Sequence, residues 1–440
     1  GSCTCNLLTP DGYDVATAYL RDYDGVDYAT KAVNQANRLK SLFQDPRAAS
    51  SEFDVVFGPS GSDMMYVPLL FMTMFNPGKE IVNIVTCPEE LGSGSKPAGE
   101  IKYYANFNQK GEIVELNGMV CEKEIKTKCL YLNARDDDHG AVLERATEIE
   151  AMVEKHIGQS PVVVNLVFGS KSGIEDDLSM IDSLQKKFGT DYTKLMFCVD
   201  MCQFRSEVSL LHELMAKNVQ VMITGSKFFQ APPFCGALFV SKPLSNSIGQ
   251  CADASMAGVY KEIFSAYDFL GTNFGKIAAQ LQPFENKGLR TRWEVALDEM
   301  QKYRDIPEVD STAAIARWRQ VVVGRLAQTD AFKVMPNVND TSPSIVSFQV
   351  LKRDGTALTK PECQALFDKL ALNPQTGLQD NYSKVFIGQP VAFGKNAFIR
   401  LAIGSYSLRQ MMKETRYNPH NDLRVIQILE DLAQDMYSLP

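Results

Sequence analysis

The chain has 440 residues, more than one hydrophobic core usually organises, and its length therefore predicts two domains. Its content of 45% hydrophobic and 22% charged residues is typical of a globular protein and excludes a disordered or fibrous chain. The formal net charge is −8 and no stripe of Lys or Arg emerges, which argues against nucleic acid as a partner. The longest apolar run, residues 64–75, is shorter than the roughly 20 residues that cross a bilayer, so no membrane anchor is expected.

The ten cysteines are spread at irregular intervals and do not have the spacing of a zinc site. A chain of this length does not need a disulfide framework, so we expect reduced cysteines, no metal centre and a cytoplasmic location. The sequence starts Gly1-Ser2 without methionine, and removal of an organellar targeting peptide therefore stays open as an alternative.

In chain order, residues 1–50 are predicted to form an N-terminal arm, because apolar residues recur at helical spacing between Tyr28 and Phe43. From residue 51 to 300, short β-rich runs alternate with helical patterns, which predicts an α/β domain with a mostly parallel sheet covered by helices. The predicted strands are 53–57, 80–86, 128–133, 161–168, 194–200, 219–224 and 236–242, and the predicted helices are 140–156, 175–188 and 206–217.

Residues 301–440 are predicted to form a smaller C-terminal α+β domain, because the alternation of strands and helices changes near residue 300. The predicted elements of this domain are a helix at 312–328, a strand at 344–351, a helix at 360–372, a strand at 397–403 and a helix at 421–437.

Ligands of open α/β sheets bind beyond the carboxyl ends of the strands, so the residues that follow each strand are candidates for a site. After the first strand, the loop Gly58-Pro59-Ser60-Gly61-Ser62-Asp63 leads into a helix and would point backbone N–H groups at an anion such as phosphate. A purely structural turn is an equal alternative for this loop. It is not a nucleotide-binding P-loop, because no Gly-Lys-Ser/Thr follows at the required spacing.

Three charged residues lie in apolar surroundings at or near other strands. Asp200 ends an apolar strand, where its carboxylate needs a cationic partner, although capping of the next helix is an alternative. Lys227 follows the strand 219–224 and is flanked by Phe228 and Phe229, which favours a neutral, nucleophilic amine over the usual solvated one. Arg400 lies inside an apolar strand and could bind a carboxylate or an internal acidic residue.

Together, these segments resemble the fold-type-I pyridoxal-phosphate enzymes, specifically the class V aminotransferase group that includes the cysteine desulfurases. In that group, Ser/Thr-Gly-His-Lys precedes a Gly/Pro-rich turn and a Gly-x-Leu-Tyr/Phe-Val strand. Residues 224–227 and 236–240 reproduce this pattern, with Ser226 in the place of the histidine. The resemblance implies an aspartate-aminotransferase-like large domain and pyridoxal 5′-phosphate held by Lys227 as a Schiff base.

The resemblance also implies roles for other residues. Asp200 would pair with the pyridine nitrogen, Gln203 and Ser170 would lie by the ring hydroxyl, and Arg400 would bind the substrate carboxylate. The phosphate contacts would come from Ser60, Gly61, Ser62 and Thr224, and from Thr291, whose segment 288–291 is similar to one that reaches the phosphate of a neighbouring subunit.

Two departures from the family pattern limit what it implies about function. The loop 88–94 has no aromatic or histidine residue to stack on the cofactor. Glu90 or Leu91 could cover that face, and Glu90 could bind substrate or transfer a proton, but a solvent-exposed acid is the favoured interpretation. No cysteine occurs from Gln364 to Arg400, where desulfurases have their persulfide-forming cysteine, so that reaction is disfavoured.

We therefore predict an aminotransferase that acts on an amino acid or related amine. In this hypothesis Lys227 moves the proton, Asp200 maintains the electron sink, and Arg400 orients the substrate. A pyridoxal-phosphate-dependent lyase or decarboxylase is the main alternative, and a cofactor-free scaffold of the same fold is a weaker one. Because active sites of this group usually lie between two subunits, a homodimer with a small amino substrate is expected.

Overall fold

The computed structural model describes residues 8–45, 47–48, 52–121, 124–137, 140–204, 208–251, 254–335, 344–372, 387–413 and 420–437. Within these ranges the chain forms two β-sheets, each packed against helices. Both the α/β class and the separate smaller C-terminal sheet were predicted from the sequence, and both are confirmed.

The larger sheet has seven strands in the order β1-β7-β6-β5-β4-β2-β3. Strand β7 is antiparallel to both of its neighbours, whereas the other strands run in one direction. Strands with both faces covered are rich in Val, Ile and Leu, which is why β4 and β5 appear in the sequence as nearly continuous apolar runs. The strands are β1 Phe53–Gly58, β2 Glu80–Thr86, β3 Lys126–Leu132, β4 Val162–Val167, β5 Leu195–Asp200, β6 Gln220–Thr224 and β7 Gly236–Ser241.

Helices cover this sheet on both faces. The nearly all-apolar helix α3 is buried almost throughout, whereas α6 buries only the apolar stripe that includes Ile181 and Leu184. The helices of this part of the chain are α3 Tyr66–Phe75, α4 Ser95–Gly99, α5 Ala146–His156, α6 Ser179–Phe188, α7 Val208–Ala216, α8 Lys242–Gln250 and α9 Gly275–Ala278.

The smaller sheet is antiparallel, with the strand order β10-β11-β9-β8. Its strands are β8 Phe332–Val334, β9 Ile345–Val350, β10 Gly388–Phe393 and β11 Asn396–Ala402. The helices of this part are α10 Lys287–Arg304, α11 Glu308–Leu326, α12 Lys360–Leu372, α13 Ser405–Lys413 and α14 His420–Tyr437. Helix α10 runs through the domain boundary predicted at residue 300, and the change from one sheet to the other falls between β7 and β8.

The predicted N-terminal arm consists of two helices, α1 Pro10–Arg21 and α2 Tyr28–Phe43, in its described part. Both pack against α10. The Asp27 carboxylate caps α2 by accepting a hydrogen bond from the Thr30 amide at 3.0 Å. The side chain of Gln35 donates to the Arg290 carbonyl at 2.8 Å, which joins α2 to α10 inside the protein.

The described ranges contain eight cysteines, and no disulfide joins them. No helix in the described part of the chain is both long and apolar enough to cross a bilayer.

Candidate active site

A cavity of about 370 Å³ opens at the carboxyl ends of the parallel strands, where Gln389 of the smaller sheet closes one side. Its size falls in the usual range of small-molecule sites. Nine of the eleven residues predicted for the site line it: Ser60, Gly61, Ser62, Glu90, Ser170, Asp200, Gln203, Thr224 and Lys227. The fold therefore brings together residues that are up to 167 positions apart in the sequence.

The loop after β1 lies directly on the start of β7. A Cβ atom on Gly236 would come within 2.2 Å of the Ser60 carbonyl oxygen, so this backbone contact requires glycine. A Cβ atom on Gly61 would meet the Cys202 Sγ atom at 2.7 Å and the Thr224 Cγ2 atom at 2.9 Å. These two glycines hold the loop against the ends of β5 and β6, with backbone exposed to the cavity.

Asp63, which was not among the residues predicted for the site, organises the same loop. Its carboxylate accepts hydrogen bonds from the Ser60 amide at 2.8 Å, the Ser60 hydroxyl at 2.9 Å and the Tyr104 hydroxyl at 2.7 Å. Burial raises the pKa of Asp63 to about 6, against the lowering effect of these hydrogen bonds. Since both donors of Ser60 point to Asp63, the donors of Gly61 and Ser62 are better candidates for an anion.

Tyr104 supplies an aromatic ring to the cavity wall. The loop 88–94 itself has no ring, and Tyr104, which lies ten residues further on, was not among the residues predicted for the site. Its ring packs so closely on the chain that a Cβ atom on Gly94 would come within 2.5 Å of it. Phe234 also lines the cavity.

Asp200 ends β5 on the cavity wall, and its carboxylate accepts a hydrogen bond from the Cys202 amide at 2.8 Å. Burial raises the pKa of Asp200, whereas the hydrogen bonds from Cys202 and the positive charges of Lys227 and Lys171 favour its ionised form. The carboxylate is thus held in place with cations nearby.

Two lysines line the cavity, and only Lys227 was predicted for the site. The other, Lys171, is the fourth residue after β4 and lies between Gly169 and Gly173, which have φ angles of +82° and +88°. Burial, assisted by the charges of Arg400 and Lys227, lowers the pKa of Lys171 to about 7. A lysine in a short turn between two glycines after a strand was the available sequence signal.

The favoured interpretation of Glu90 as a solvent-exposed acid was wrong, because the residue is only 2% exposed. Its carboxylate pairs with the Arg135 guanidinium at 3.2 Å and accepts hydrogen bonds from the Ser172 hydroxyl at 2.6 Å and from the Ser170 hydroxyl. Arg135 is 45 positions away, so no local sequence pattern indicates this partner. Burial of Glu90 became possible because Arg135 and the serines compensate its charge.

Arg400 and Thr291 do not line the cavity. Arg400 is fully buried in β11, and its guanidinium donates at 2.7 Å to the carbonyl of Gln389, a residue that does line the cavity. The Thr291 hydroxyl donates within α10 to the Lys287 carbonyl at 2.8 Å. The roles predicted for these two residues, one of which involves a second subunit, remain proposals.

Comparisons with known proteins give structural matches. No protein-family model and no curated protein sequence matches the chain. A solved NifS-like protein matches with a TM-score of 0.58 at 12% identity, covering 99% of this chain and 98% of that one. The ureidoglycine-glyoxylate aminotransferase of Bacillus subtilis matches with a TM-score of 0.56 at 12% identity, covering 99% and 92%. The TDC of Oryza sativa, solved with PLP and tryptamine, matches with a TM-score of 0.53 at 14% identity, covering 98% and 82%.

The chain has the fold of these enzymes. The matches extend over nearly the whole length of the chain, so the likeness to fold type I includes both of its sheets. At 12–14% identity the likeness establishes the fold but not the reaction, which has to be inferred from the residues of the cavity.

Proposed function

We propose that this protein is a pyridoxal-phosphate-dependent enzyme that acts on an amino compound, with amino-group transfer as its reaction. The observation that carries the proposal is the meeting of Lys227, Asp200 and the loop 60–62 around one cavity of this fold. These three elements offer an amine, a carboxylate and a glycine-bearing anion loop, which are the groups that such a cofactor needs.

The residues present fit the cofactor. The cavity of about 370 Å³ has room for a substituted pyridine ring with its phosphate. Gly61, Ser62 and Thr224 would hold the phosphate, Asp200 would pair with the ring nitrogen, Gln203 and Ser170 would lie by the ring hydroxyl, and Lys227 would carry the covalent link. We keep Thr291 as a candidate contact to the phosphate of a second subunit.

Pyridoxal phosphate, when bound, supplies an electron sink for the bonds at the substrate α-carbon. The Lys227 amine would take a proton from that carbon and return it at a neighbouring atom, which is general acid–base catalysis by a positioned amine. The Asp200 carboxylate would hold the proton of the ring nitrogen. The buried Arg400, which donates to the Gln389 carbonyl, would contribute positive charge for an acidic group of the substrate.

The proposed cofactor link has a direct test. Protein incubated with pyridoxal phosphate and then dialysed should absorb visible light, and borohydride should fix the cofactor on Lys227, as read by peptide mass spectrometry. Lys227→Ala should abolish both signals, whereas Lys171→Ala, which removes the other cavity lysine, should keep them. A colourless wild-type protein, or a label on Lys171, would overturn the proposal.

Amino-group transfer is distinguished from its alternatives by what remains after one turnover. With a panel of amino donors and no acceptor, transfer leaves the amino group on the cofactor and changes its absorption, with one keto product per site. A decarboxylase would release CO₂ instead, and a lyase would release a leaving group. Among the structural matches are both an aminotransferase and TDC solved with tryptamine, so the assay should include aromatic amino acids.

We infer a homodimer from a further feature of the cavity rim. Tyr104 and Ala105 line the cavity, and the segment that follows exposes large apolar side chains, with Phe107 60% and Ile113 83% exposed. Contiguous exposed apolar side chains mark interaction surfaces. Mass photometry should give twice the chain mass of 48.9 kDa, and Ile113→Lys should lower that mass.

A further inference from the structure

Lys171 is a cavity-wall cation that the proposed chemistry leaves unused. Its ammonium has no hydrogen-bond or ion-pair partner among the residues that the structure describes. The acids of this wall already have other partners. Glu90 forms an ion pair with Arg135, and Asp200 accepts a hydrogen bond from the Cys202 amide. A partly buried cation without an anion is costly, which indicates that an anion arrives with a ligand.

The order of the strands separates Lys171 from the loop proposed for the cofactor phosphate. Lys171 follows β4, whereas the loop 60–62 lies over the start of β7 and contacts Thr224 at the end of β6. Strand β5, which ends in Asp200, lies between β4 and β6. The anion at Lys171 is therefore a group other than the phosphate held by that loop.

The charged groups that face Lys171 come from five other elements and are mostly positive. They are Arg400 on β11, Lys227 after β6, Lys360 at the start of α12, Glu90 after β2 and Asp200 on β5. Arg400 has the largest effect among these charges on Lys171, yet it is fully buried and does not line the cavity. This end of the cavity therefore combines a positive potential with Lys171, a partly buried lysine that lines the cavity.

We propose that Lys171 is the residue that directly binds an acidic group of the substrate, with Arg400 acting behind it. The inference rests on the proposed function, since it names the specificity of the same site. Substrates are then amino compounds that carry a carboxylate, and plain amines are poor substrates. An anion next to Lys171 favours its protonated form, so binding takes up a proton near and above pH 7.

The test uses cofactor-loaded protein and a probe that cannot react. Succinate is titrated by calorimetry at pH 6.0 and pH 8.5, with the neutral succinamide as the matched ligand. Because Lys171 has a pKa of about 7, the charged fraction and with it the succinate affinity should fall roughly 30-fold between these pH values. Titrations in buffers of different ionisation enthalpy should show proton uptake at pH 8.5, and succinamide should show neither effect.

Three variants separate the role of Lys171 from general effects. Lys171→Gln should bind succinate at least roughly 30-fold more weakly at pH 6.0, as the largely neutral wild type does at pH 8.5, and should lose the pH dependence. Lys171→Arg should bind at both pH values with less than roughly threefold difference, because arginine stays charged. Lys333→Gln, which removes an exposed lysine of β8, should behave as wild type.

Cofactor loading is measured first in each variant by visible absorption. If the wild-type protein did not bind the cofactor, the proposed function would be wrong, and this result would be distinct from a failure of the Lys171 assignment. Normal loading together with equal succinate affinity and equal pH dependence in wild type and Lys171→Gln would overturn the assignment of Lys171.

Discussion

Arg135 and Glu90 form an ion pair at 3.2 Å that water does not reach, with their side chains 1% and 0% exposed. The Arg135 guanidinium also donates to the Gly140 carbonyl at 2.8 Å and the Ser172 hydroxyl at 3.1 Å. One arginine thus fixes both the loop after β2 and the loop after β4, which together form one side of the cavity.

The first prediction concerns this pair. Arg135→Ala should lower the free energy of unfolding by about 3–5 kcal/mol, because it leaves the Glu90 carboxylate buried without its cation. Arg38→Ala, which breaks the more exposed pair with Glu294, should cost only about 0–1 kcal/mol. Urea denaturation followed by circular dichroism measures both. Equal losses in the two variants would contradict the idea that burial makes the first pair matter.

The second prediction concerns Asp63, whose pKa of about 6 in the folded protein exceeds the 3.8 of an ordinary Asp. Its contribution to stability is fully present below pH 3.8 and is lost as the pH rises through about 6, by about 3 kcal/mol in all. Asp63→Asn cannot ionise, so it should be more stable than wild type at pH 7.5 and no more stable at pH 4. Parallel pH profiles of unfolding free energy in the two proteins would count against this.

The third prediction concerns Gly236, on which the loop after β1 lies. Gly236→Ala places a methyl group 2.2 Å from the Ser60 carbonyl oxygen, so the loop must move and cofactor affinity should fall at least roughly tenfold. Gly324→Ala is the matched control, because no atom lies within 4 Å of the new Cβ on helix α11. That control should leave cofactor affinity unchanged and should stabilise the protein by up to about 1 kcal/mol. Visible absorption during equilibrium dialysis reports the affinity.

The fourth prediction concerns Asp200. Asp200→Asn keeps the shape of the side chain but removes its charge, so the ring nitrogen of the cofactor would lose its ionic partner. Affinity for pyridoxal phosphate should fall roughly 10- to 100-fold, the range expected for a charge-assisted hydrogen bond. Asp354→Asn, at an exposed position, should bind as wild type. Unchanged affinity and absorption in Asp200→Asn would separate Asp200 from the cofactor.

The larger sheet could be predicted well from the sequence, because buried parallel strands are short apolar runs bounded by polar turns. All seven strands predicted in residues 51–300 are confirmed to within two residues. Helix α10, at Lys287–Arg304, was not predicted, although Leu289, Trp293, Ala296 and Met300 recur at helical spacing and form one buried face. Its buried Arg290 and Glu299 are compensated by Asp268 and Arg409, which are distant in the sequence.

The site likewise has a part that could be predicted from the sequence and a part that could not. Asp200, Lys227 and the loop 60–62 could be placed together because each directly follows or ends a strand, and the carboxyl ends of parallel strands share an edge. The burial of Glu90 and the charge environment of Lys171 depend on residues from other strands and from the smaller sheet. Such contacts leave no local pattern in the sequence.

Helix α1 pairs with helix α13, about 390 positions later in the chain, through the Arg409 side chain. The Arg409 guanidinium in α13 pairs with Glu299 of α10 at 2.6 Å and with Asp11 of α1 at 3.1 Å. Helix α13 begins three residues after β11, the strand that contains Arg400. Removal of helix α1 would therefore take away one ionic partner of α13 and would change the surroundings of the strand that contains Arg400.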